Sequence, residues 1–86
     1  MLNFNQFRVF YYAAKNLNFT VAAGELFITQ PAVTSQIKSF DEFCNLKLFK
    51  KRGRRIYRTD EGKSLYAYAA KIFKYEKEIE NIIDDM

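Results

Sequence analysis

Seven basic side chains between residues 47 and 58 give this sequence its clearest chemical feature. The segment contains no acidic residue, so its positive charges repel one another and attract polyanions. A single basic loop is about as often merely exposed to solvent as it is bound to a polyanion, so the segment alone does not define a function. The basic side chains are Lys47, Lys50, Lys51, Arg52, Arg54, Arg55 and Arg58.

A second group of polar side chains lies just before this segment, on one face of a predicted helix. Short side chains and a lysine on that face could approach the base edges of a major groove about 12 Å wide. Solvent is the usual explanation for a polar helix face, and the basic segment that follows makes DNA binding the more specific interpretation. The polar face holds Pro31, Thr34, Ser35 and Lys38. The opposite, apolar face holds Val33, Ile37, Phe40 and Cys44.

The composition excludes several kinds of chemistry. The chain has no histidine and a single cysteine, so histidine-dependent triads are excluded and a zinc site is implausible. We therefore expect no enzyme activity and no cofactor in this segment. One cysteine cannot form an internal disulfide, which favours a reduced, cytoplasmic setting. No apolar run approaches the roughly 18 residues of a membrane span, so no membrane partner is expected.

The 86 residues suffice for one small, mainly α-helical domain with an appended helix. A first helix is predicted from Phe4 to Leu17, and Asn18 is a candidate cap for a second helix from Thr20 to Phe27. The third helix begins with Thr29 or Gln30 as its cap and ends near Asn45. The first helix presents Phe4, Phe7, Phe10, Tyr11 and Ala14 on one face. In the second helix, Ala22, Ala23, Leu26 and Phe27 are expected to face inward, with Ile28 filling the core behind them.

The segment after the third helix has the pattern of a β-hairpin. Two brief strands are predicted at Leu48-Phe49 and Ile56-Tyr57, with Gly53 at the turn. Thr59 is expected to cap a last helix, because two acidic residues that suit a helix N-terminus follow it. Helices followed by a basic hairpin form the order of a winged helix-turn-helix fold. The predicted architecture is three helices plus a short two-stranded wing, followed by a long helix.

Residues 4–70 resemble the N-terminal domain of LysR-type transcriptional regulators. The matching segments are Phe7-Arg8-Val9-Phe10, Asn18-Phe19-Thr20-Val21-Ala22-Ala23-Gly24-Glu25-Leu26, Thr29-Gln30-Pro31-Ala32-Val33-Thr34-Ser35-Gln36-Ile37-Lys38, Phe40-Asp41-Glu42, Leu48-Phe49, Gly53-Arg54-Arg55 and Thr59-Asp60-Glu61-Gly62. This resemblance implies a helix-turn-helix at about residues 19–38 and a wing at about residues 47–58. It implies DNA contacts in three places: Thr20 near the start of the second helix; Gln30, Pro31, Thr34, Ser35 and Lys38 in the third helix; and Lys51, Arg52 and Arg54 in the wing.

Three positions depart from the family pattern. Ser35 stands where the family often has arginine, so a long side chain that could contact a base is missing there. Asn45 replaces a common glycine, and asparagine tolerates the left-handed conformation that a helix end requires. Arg58 stands where leucine is common, and it either contacts a phosphate or extends outward from a partly buried site.

The last helix carries an apolar stripe with spacings of three and four residues. Such spacing is typical of a heptad seam between two helices. Its first part, Leu65 to Ile72, could instead pack on the helix's own domain. In the resembled family this is a linker helix that pairs antiparallel between subunits. The predicted dimerisation residues are Leu65, Tyr68, Ile72, Tyr75, Ile79, Ile82 and Met86.

The sequence thus predicts a DNA-binding domain at residues 1–59 and a linker or dimerisation helix at residues 60–86. The effector-binding domain of the family is absent, and we expect a fragment rather than a natural short form. The expected partners are double-stranded DNA, in the form of an interrupted palindrome, and a second copy of the chain, with a tetramer possible in a full-length form. A basic protein-interaction adaptor is the first alternative, and an RNA-binding module is the second.

Overall fold

The computed structural model describes residues 1–86 and contains four helices and one β-hairpin. The first three helices pack against one another, the two antiparallel strands form the wing, and the last helix packs mainly on the first. The predicted winged helix-turn-helix architecture is therefore confirmed. In chain order the elements are α1 (Phe4–Asn16), α2 (Phe19–Leu26), α3 (Gln30–Cys44), β1 (Phe49–Arg52), β2 (Arg55–Arg58) and α4 (Asp60–Asp84).

Every helix begins at a side chain that accepts a hydrogen bond from the first helical turn. These caps are Asn3, Asn18, Thr29 and Thr59, and they stabilise backbone N–H groups that have no helical partner. The predicted caps at Asn18 and Thr59 are confirmed. Thr29 rather than Gln30 caps α3, so Pro31 is the second residue of that helix.

The first three helices end at residues in the left-handed conformation, which side chains other than glycine adopt rarely. Leu17, Phe27 and Asn45 have φ angles of 50°, 57° and 55°. The expectation for Asn45 is confirmed, but the inward orientation predicted for Phe27 is wrong. The reversal of the backbone at Phe27 leaves this ring 94% exposed. Ile28 follows the same reversal and is 37% exposed, so it does not fill the core either.

The core is built mainly from aromatic rings of α1 and α3. Phe7, Phe10 and Phe40 lie with ring centroids 5.5 to 6.1 Å apart. Cys44, at the end of the apolar face predicted for α3, is only partly buried. The remaining buried hydrophobic residues are Val9, Ala13, Ala14, Ala22, Ala23, Val33, Ile37, Leu48, Ala69 and Phe73.

Helix α4 extends well past the domain that it helps to build. Ala69 and Phe73 are buried against the core, whereas residues 77–86 are all exposed. The molecule is therefore elongated, with principal extents of 47 × 24 × 20 Å. No helix has the combination of length and apolar character that a membrane span requires.

Candidate nucleic-acid interface

The outer face of α3 is a row of exposed polar side chains. Burial of Val33 and Ile37 on the inner face fixes the rotation of the helix, which turns the predicted contact residues outward. The hydroxyl group of Thr34 donates a hydrogen bond of 3.2 Å to the backbone carbonyl oxygen of Gln30. The exposed residues of this face are Gln30, Pro31, Thr34, Ser35 and Lys38.

Thr20 lies in the first turn of α2 and is exposed. The first turns of α2 and α3 both leave backbone N–H groups without helical partners. The side chains of Asn18 and Thr29 accept one bond each, from Val21 and Ala32. The other free N–H groups of these turns are suited to a phosphate oxygen.

The wing is an antiparallel hairpin of two four-residue strands, and its two faces differ. Gly53 has a φ angle of 60° and allows the tight turn to Arg54. The cross-strand pairs place Lys51 beside Ile56 and place Arg52 beside Arg55. Because side chains alternate along a strand, Lys51 and Arg52 point to opposite faces of the hairpin.

Phe49 anchors this hairpin to the helices. Its ring centroid lies 5.7 Å from that of Phe10 and 5.5 Å from that of Phe19. The neighbouring Leu48 is fully buried, although it precedes the strand rather than belonging to it as predicted. The wing is therefore held at a fixed position relative to α1 and α2, and its tip projects into solvent.

A groove of about 580 Å³ separates α3 from the wing. Three of the predicted contact residues line it together: Thr34 and Lys38 from α3, and Lys51 from β1. The remaining predicted residues lie outside its lining. They are Thr20, Gln30, Pro31, Ser35, Arg52 and Arg54.

Two acidic residues, Asp41 and Glu42, also line this groove. Atom Oδ1 of Asp41 is buried and has no hydrogen-bond partner. Burial raises the pKa of the Asp41 carboxyl group, while the nearby positive charge of Lys47 opposes the rise. The negative charge of Asp41 would repel an anion. We therefore expect the lysine side chains that line the groove to provide its attraction for anions.

The opposite face of the wing forms a second concavity of about 300 Å³, which we call the rear concavity. Of the residues that line it, the sequence predicts Arg52 as a DNA contact and leaves a phosphate contact open for Arg58. The alternation of side chains about Gly53 could have placed Lys50 and Tyr57 beside Arg52, but the contribution of Lys63 depends on how α4 packs. The residues that line the rear concavity are Leu17, Lys50, Arg52, Tyr57, Arg58 and Lys63.

Arg58 has a structural role in this region. Its Nε atom donates a hydrogen bond of 3.0 Å to the carbonyl oxygen of Ala14, and its guanidinium carbon lies 4.3 Å from the ring centroid of Tyr66. The side chain is partly buried, which agrees with the second of the two roles expected for it. Stacking on Tyr66 fixes the orientation of the guanidinium group.

The outer stripe of α4 is exposed along most of its length. Tyr68, Tyr75, Ile79 and Ile82 are between 55% and 66% exposed, and Leu65 is the only partly buried member of the predicted seam. A neighbouring stripe of α4 packs on the domain instead, through Gly62, Ala69 and Phe73. The helix thus carries two apolar faces, of which only one is covered by its own chain.

An ion pair fastens α4 to α1 near the point where α4 leaves the domain. Both terminal nitrogens of Arg8 donate hydrogen bonds to the carboxylate of Glu76, and the guanidinium carbon lies 4.9 Å from the centroid of Phe73. These hydrogen bonds raise the pKa of Arg8 and lower the pKa of Glu76. The pair therefore remains ionised at neutral pH.

A three-helix core, a basic wing and an exposed polar face on α3 define a winged helix-turn-helix protein. The family model described as "Bacterial regulatory helix-turn-helix protein, lysR family" matches residues 4–63. The chain belongs to this family.

The similar proteins include regulators from several bacteria. The chain is 51% identical over 69 residues to the glycine cleavage system transcriptional activator of Escherichia coli, covering 80% of this chain and 23% of that protein. It is 39% identical to the HTH-type transcriptional regulator CitR of Bacillus subtilis, covering 83% of this chain and 24% of that protein. The chain thus spans about a quarter of the length of these relatives.

Solved structures of similar proteins have the same fold as this chain. The complex of BenM_DBD with catB site 1 DNA superposes with a TM-score of 0.84 at 26% identity, covering 98% of this chain and 93% of that chain. A transcriptional regulator of the LysR family from Eggerthella lenta has a TM-score of 0.72 at 34% identity, covering 81% of this chain and 99% of that chain.

Proposed function

We propose that this chain is the sequence-specific DNA-binding part of a transcriptional regulator. The observation that carries the proposal is the exposed polar face of α3 beside a basic wing, with a groove between them. The similarity to BenM_DBD in its complex with DNA supports the proposal. Because the chain spans about a quarter of its relatives, regulation of transcription by the whole protein is part of the same proposal.

The proposed mechanism is binding without catalysis, and we propose no cofactor for this segment. Phosphate contacts from Thr20 and the wing residues Lys51, Arg52 and Arg54 would set the position on the duplex. Base contacts would come from the outer face of α3, which enters the major groove. The residues that we assign to this face are Gln30, Pro31, Thr34, Ser35 and Lys38. A protein that acts on chromosomal DNA in this way would work in the cytoplasm of a bacterium.

We further propose that residues 1–59 bind DNA and that residues 60–86 pair two copies of the chain. The exposed stripe of α4 would form the seam between two antiparallel helices, with Met86 extending it beyond the helix end. In that orientation the acidic segment 76–85 of one copy lies near the basic residues Lys63, Lys71 and Lys74 of the other. A parallel pair would place acids against acids. A full-length regulator could assemble further, into a tetramer.

Selection of bound duplexes from a random pool tests the proposal directly. Two-fold symmetry of the protein requires an enriched motif with two matching half-sites, separated by about one helical turn, 34–36 Å, or a multiple of it. Enrichment of no duplex sequence would contradict the proposal. It would leave the basic adaptor, which binds an acidic protein, as the better interpretation.

Single substitutions then separate the two kinds of contact. Replacing Thr34 or Ser35 should change the ranking of operator variants, by about 1–3 kcal/mol for a strong base contact. Arg54→Ala should weaken binding to all duplexes alike and lower the magnitude of the salt slope by about one per lost phosphate contact. An unchanged ranking after both α3 substitutions would limit this helix to backbone contacts.

A further inference from the structure

The outer face of α2 and the turn that follows it form an exposed apolar surface. Val21 and Gly24 lie three positions apart, on the side of α2 opposite its buried alanines. Two large apolar side chains follow in the turn. Helix α2 is therefore apolar on both faces, which is typical of a helix that is covered on both sides. We call this surface the turn patch, and its residues are Val21, Gly24, Phe27 and Ile28, all of them exposed.

Phe27 is the most unusual member of the turn patch. Its φ angle of 57° lies in the left-handed region, where glycine or asparagine is less strained than phenylalanine. Its ring is 94% exposed, so burial within the chain does not offset this strain. The ring therefore adds nothing to the stability of the free chain, whereas aromatic rings are enriched in the contacts between proteins.

The charges around the turn patch exclude a nucleic-acid backbone as its partner. None of its four residues is charged, and Glu25, the one charged residue of α2, is bonded to Lys15 at 3.1 Å. Phosphate groups are neutralised by lysine and arginine, which the turn patch lacks. The surface that fits it is therefore apolar and uncharged, as a pocket on a protein can be.

Pairing of two copies through α4 leaves the turn patch uncovered. Helix α4 packs mainly on α1 and β2, whereas α2 packs mainly on α1 and α3. The turn patch and the exposed stripe of α4 are therefore separate surfaces, and the turn patch needs a different protein to cover it.

The turn patch adjoins the DNA-binding surface. Thr20 directly precedes Val21, and Gln30 follows Ile28 by two positions; both Thr20 and Gln30 are proposed DNA contacts. A protein that covers the turn patch must therefore lie alongside the bound duplex. Because the proposed function is regulation of transcription, the protein expected on the adjoining promoter DNA is RNA polymerase.

We propose that the turn patch is a docking surface for RNA polymerase bound to the adjoining promoter DNA. This inference rests on the proposed function and adds a protein partner to it. The ring of Phe27 enters an apolar, uncharged pocket of the polymerase, and Val21 and Ile28 pack around the rim of that pocket. The contact adds to the affinity of the polymerase for the promoter and leaves the choice of operator sequence to α3.

Phe27→Asn is the most informative variant. It removes the ring, and asparagine tolerates the left-handed conformation, so the fold is kept. Phe43→Asn is the matched control, because Phe43 is also an exposed phenylalanine and lies outside the turn patch, the groove and the rear concavity. Urea unfolding of both variants verifies that each chain is folded.

Each chain is bound to a selected palindrome upstream of a core promoter, and RNA polymerase holoenzyme from the same organism is titrated onto the duplex. The palindrome is moved in steps of one base pair across about one helical turn, 10 bp, so that every rotational setting is sampled. At the best setting, the wild-type chain and Phe43→Asn should raise the affinity of the polymerase by about tenfold, which burial of one phenyl ring can supply. Phe27→Asn should lose most of this gain while binding the palindrome normally.

Three other outcomes would overturn this inference or the proposal beneath it. An equal gain with Phe27→Asn, or no gain from the wild-type chain at any setting, would overturn the docking surface and leave DNA binding intact. Weaker binding of the palindrome by Phe27→Asn would make the ring a DNA contact, which also overturns it. Failure of the wild-type chain to bind the palindrome would overturn the proposed function as well.

Photocrosslinking then identifies the molecule that contacts the ring. With chain, polymerase and duplex combined, p-benzoylphenylalanine in place of Phe27 should crosslink to a polymerase subunit. The same analogue in place of Phe43 should not. A crosslink from position 27 to a DNA strand, or to a second copy of the chain, would contradict docking of the polymerase at the turn patch.

Discussion

Within one continuous chain, the winged body (residues 4–76) and the free end of α4 (residues 77–86) differ in burial and in charge. All 13 buried hydrophobic residues lie in the winged body, whereas every residue of the free end is exposed. The winged body has 13 basic and six acidic side chains, and the free end has one basic and four acidic side chains. The winged body thus has a core of its own, whereas the apolar Ile79, Ile82 and Ile83 of the free end have no covering surface within the chain.

The largest effect that we expect comes from making this free end polar. Ile79→Asp combined with Ile82→Asp should give a folded monomer. The double mutant lacks two isoleucines whose burial in the proposed dimer contributes about 1.5–3 kcal/mol each. Binding to a full palindrome should weaken strongly, since each half-site is then bound separately. Sedimentation at micromolar concentration measures the assembly state. A monomeric wild-type chain, or a dimeric double mutant, would refute the proposed pairing.

The second prediction concerns the opposite face of the same helix. Phe73 is 7% exposed, and its ring centroid lies 4.9 Å from that of Tyr11 and 5.4 Å from that of Phe4. In the monomeric double-mutant background, Phe73→Ala should lower the free energy of unfolding in urea by about 3–5 kcal/mol. Tyr75→Ala, two positions away and 64% exposed, should leave it nearly unchanged. Similar losses for both variants would show that the two faces are not distinct.

The third prediction uses two glycines as a matched pair. A Cβ atom at Gly62 would overlap the carbonyl oxygen of Leu48, where α4 starts beside the wing, whereas Gly24 has open space around it. We expect Gly62→Ala to lower the free energy of unfolding, measured in urea, by about 1–3 kcal/mol. Gly24→Ala should raise it by about 0.5–1 kcal/mol, because alanine favours the helix. Stabilisation by both substitutions would mean that α4 does not approach the wing this closely.

The smallest effect is a pH dependence at the boundary between the two regions. The hydrogen bonds from Arg8 lower the pKa of Glu76, so their stabilisation is present above the usual carboxyl pKa of about 4.3 and is lost as pH falls through the lowered value. For a partly exposed pair this amounts to no more than about 1 kcal/mol. The stability difference between wild type and Glu76→Gln should therefore be present at pH 7 and shrink as pH falls below the usual carboxyl pKa of about 4.3. A difference that is independent of pH would contradict the ion pair.

The sequence predicted most of the winged body because its features are local. Helix caps such as Thr59, the spacing of apolar residues in α3 and the turn at Gly53 each act within a few positions of the chain. The errors at Phe27 and Ile28 arose where a left-handed residue reversed the backbone and broke the helical spacing. The buried face of α4 was missed because Ala69 and Phe73 alternate with an equally apolar stripe, and only tertiary packing decides which stripe faces the core. The rear concavity needed the same tertiary information, because Lys63 joins the wing residues only through the packing of α4.

The ion pair between Arg8 and Glu76 also makes α4 a lever arm. Glu76 is the last partly buried residue of the helix, and the eight residues from Lys77 to Asp84 continue unsupported for about 12 Å. A tilt of about 10° at this fulcrum displaces the helix tip by about 2 Å. In the proposed dimer two such arms lie side by side, so a small rearrangement around Phe73 would be amplified into a change in the spacing of the two winged bodies.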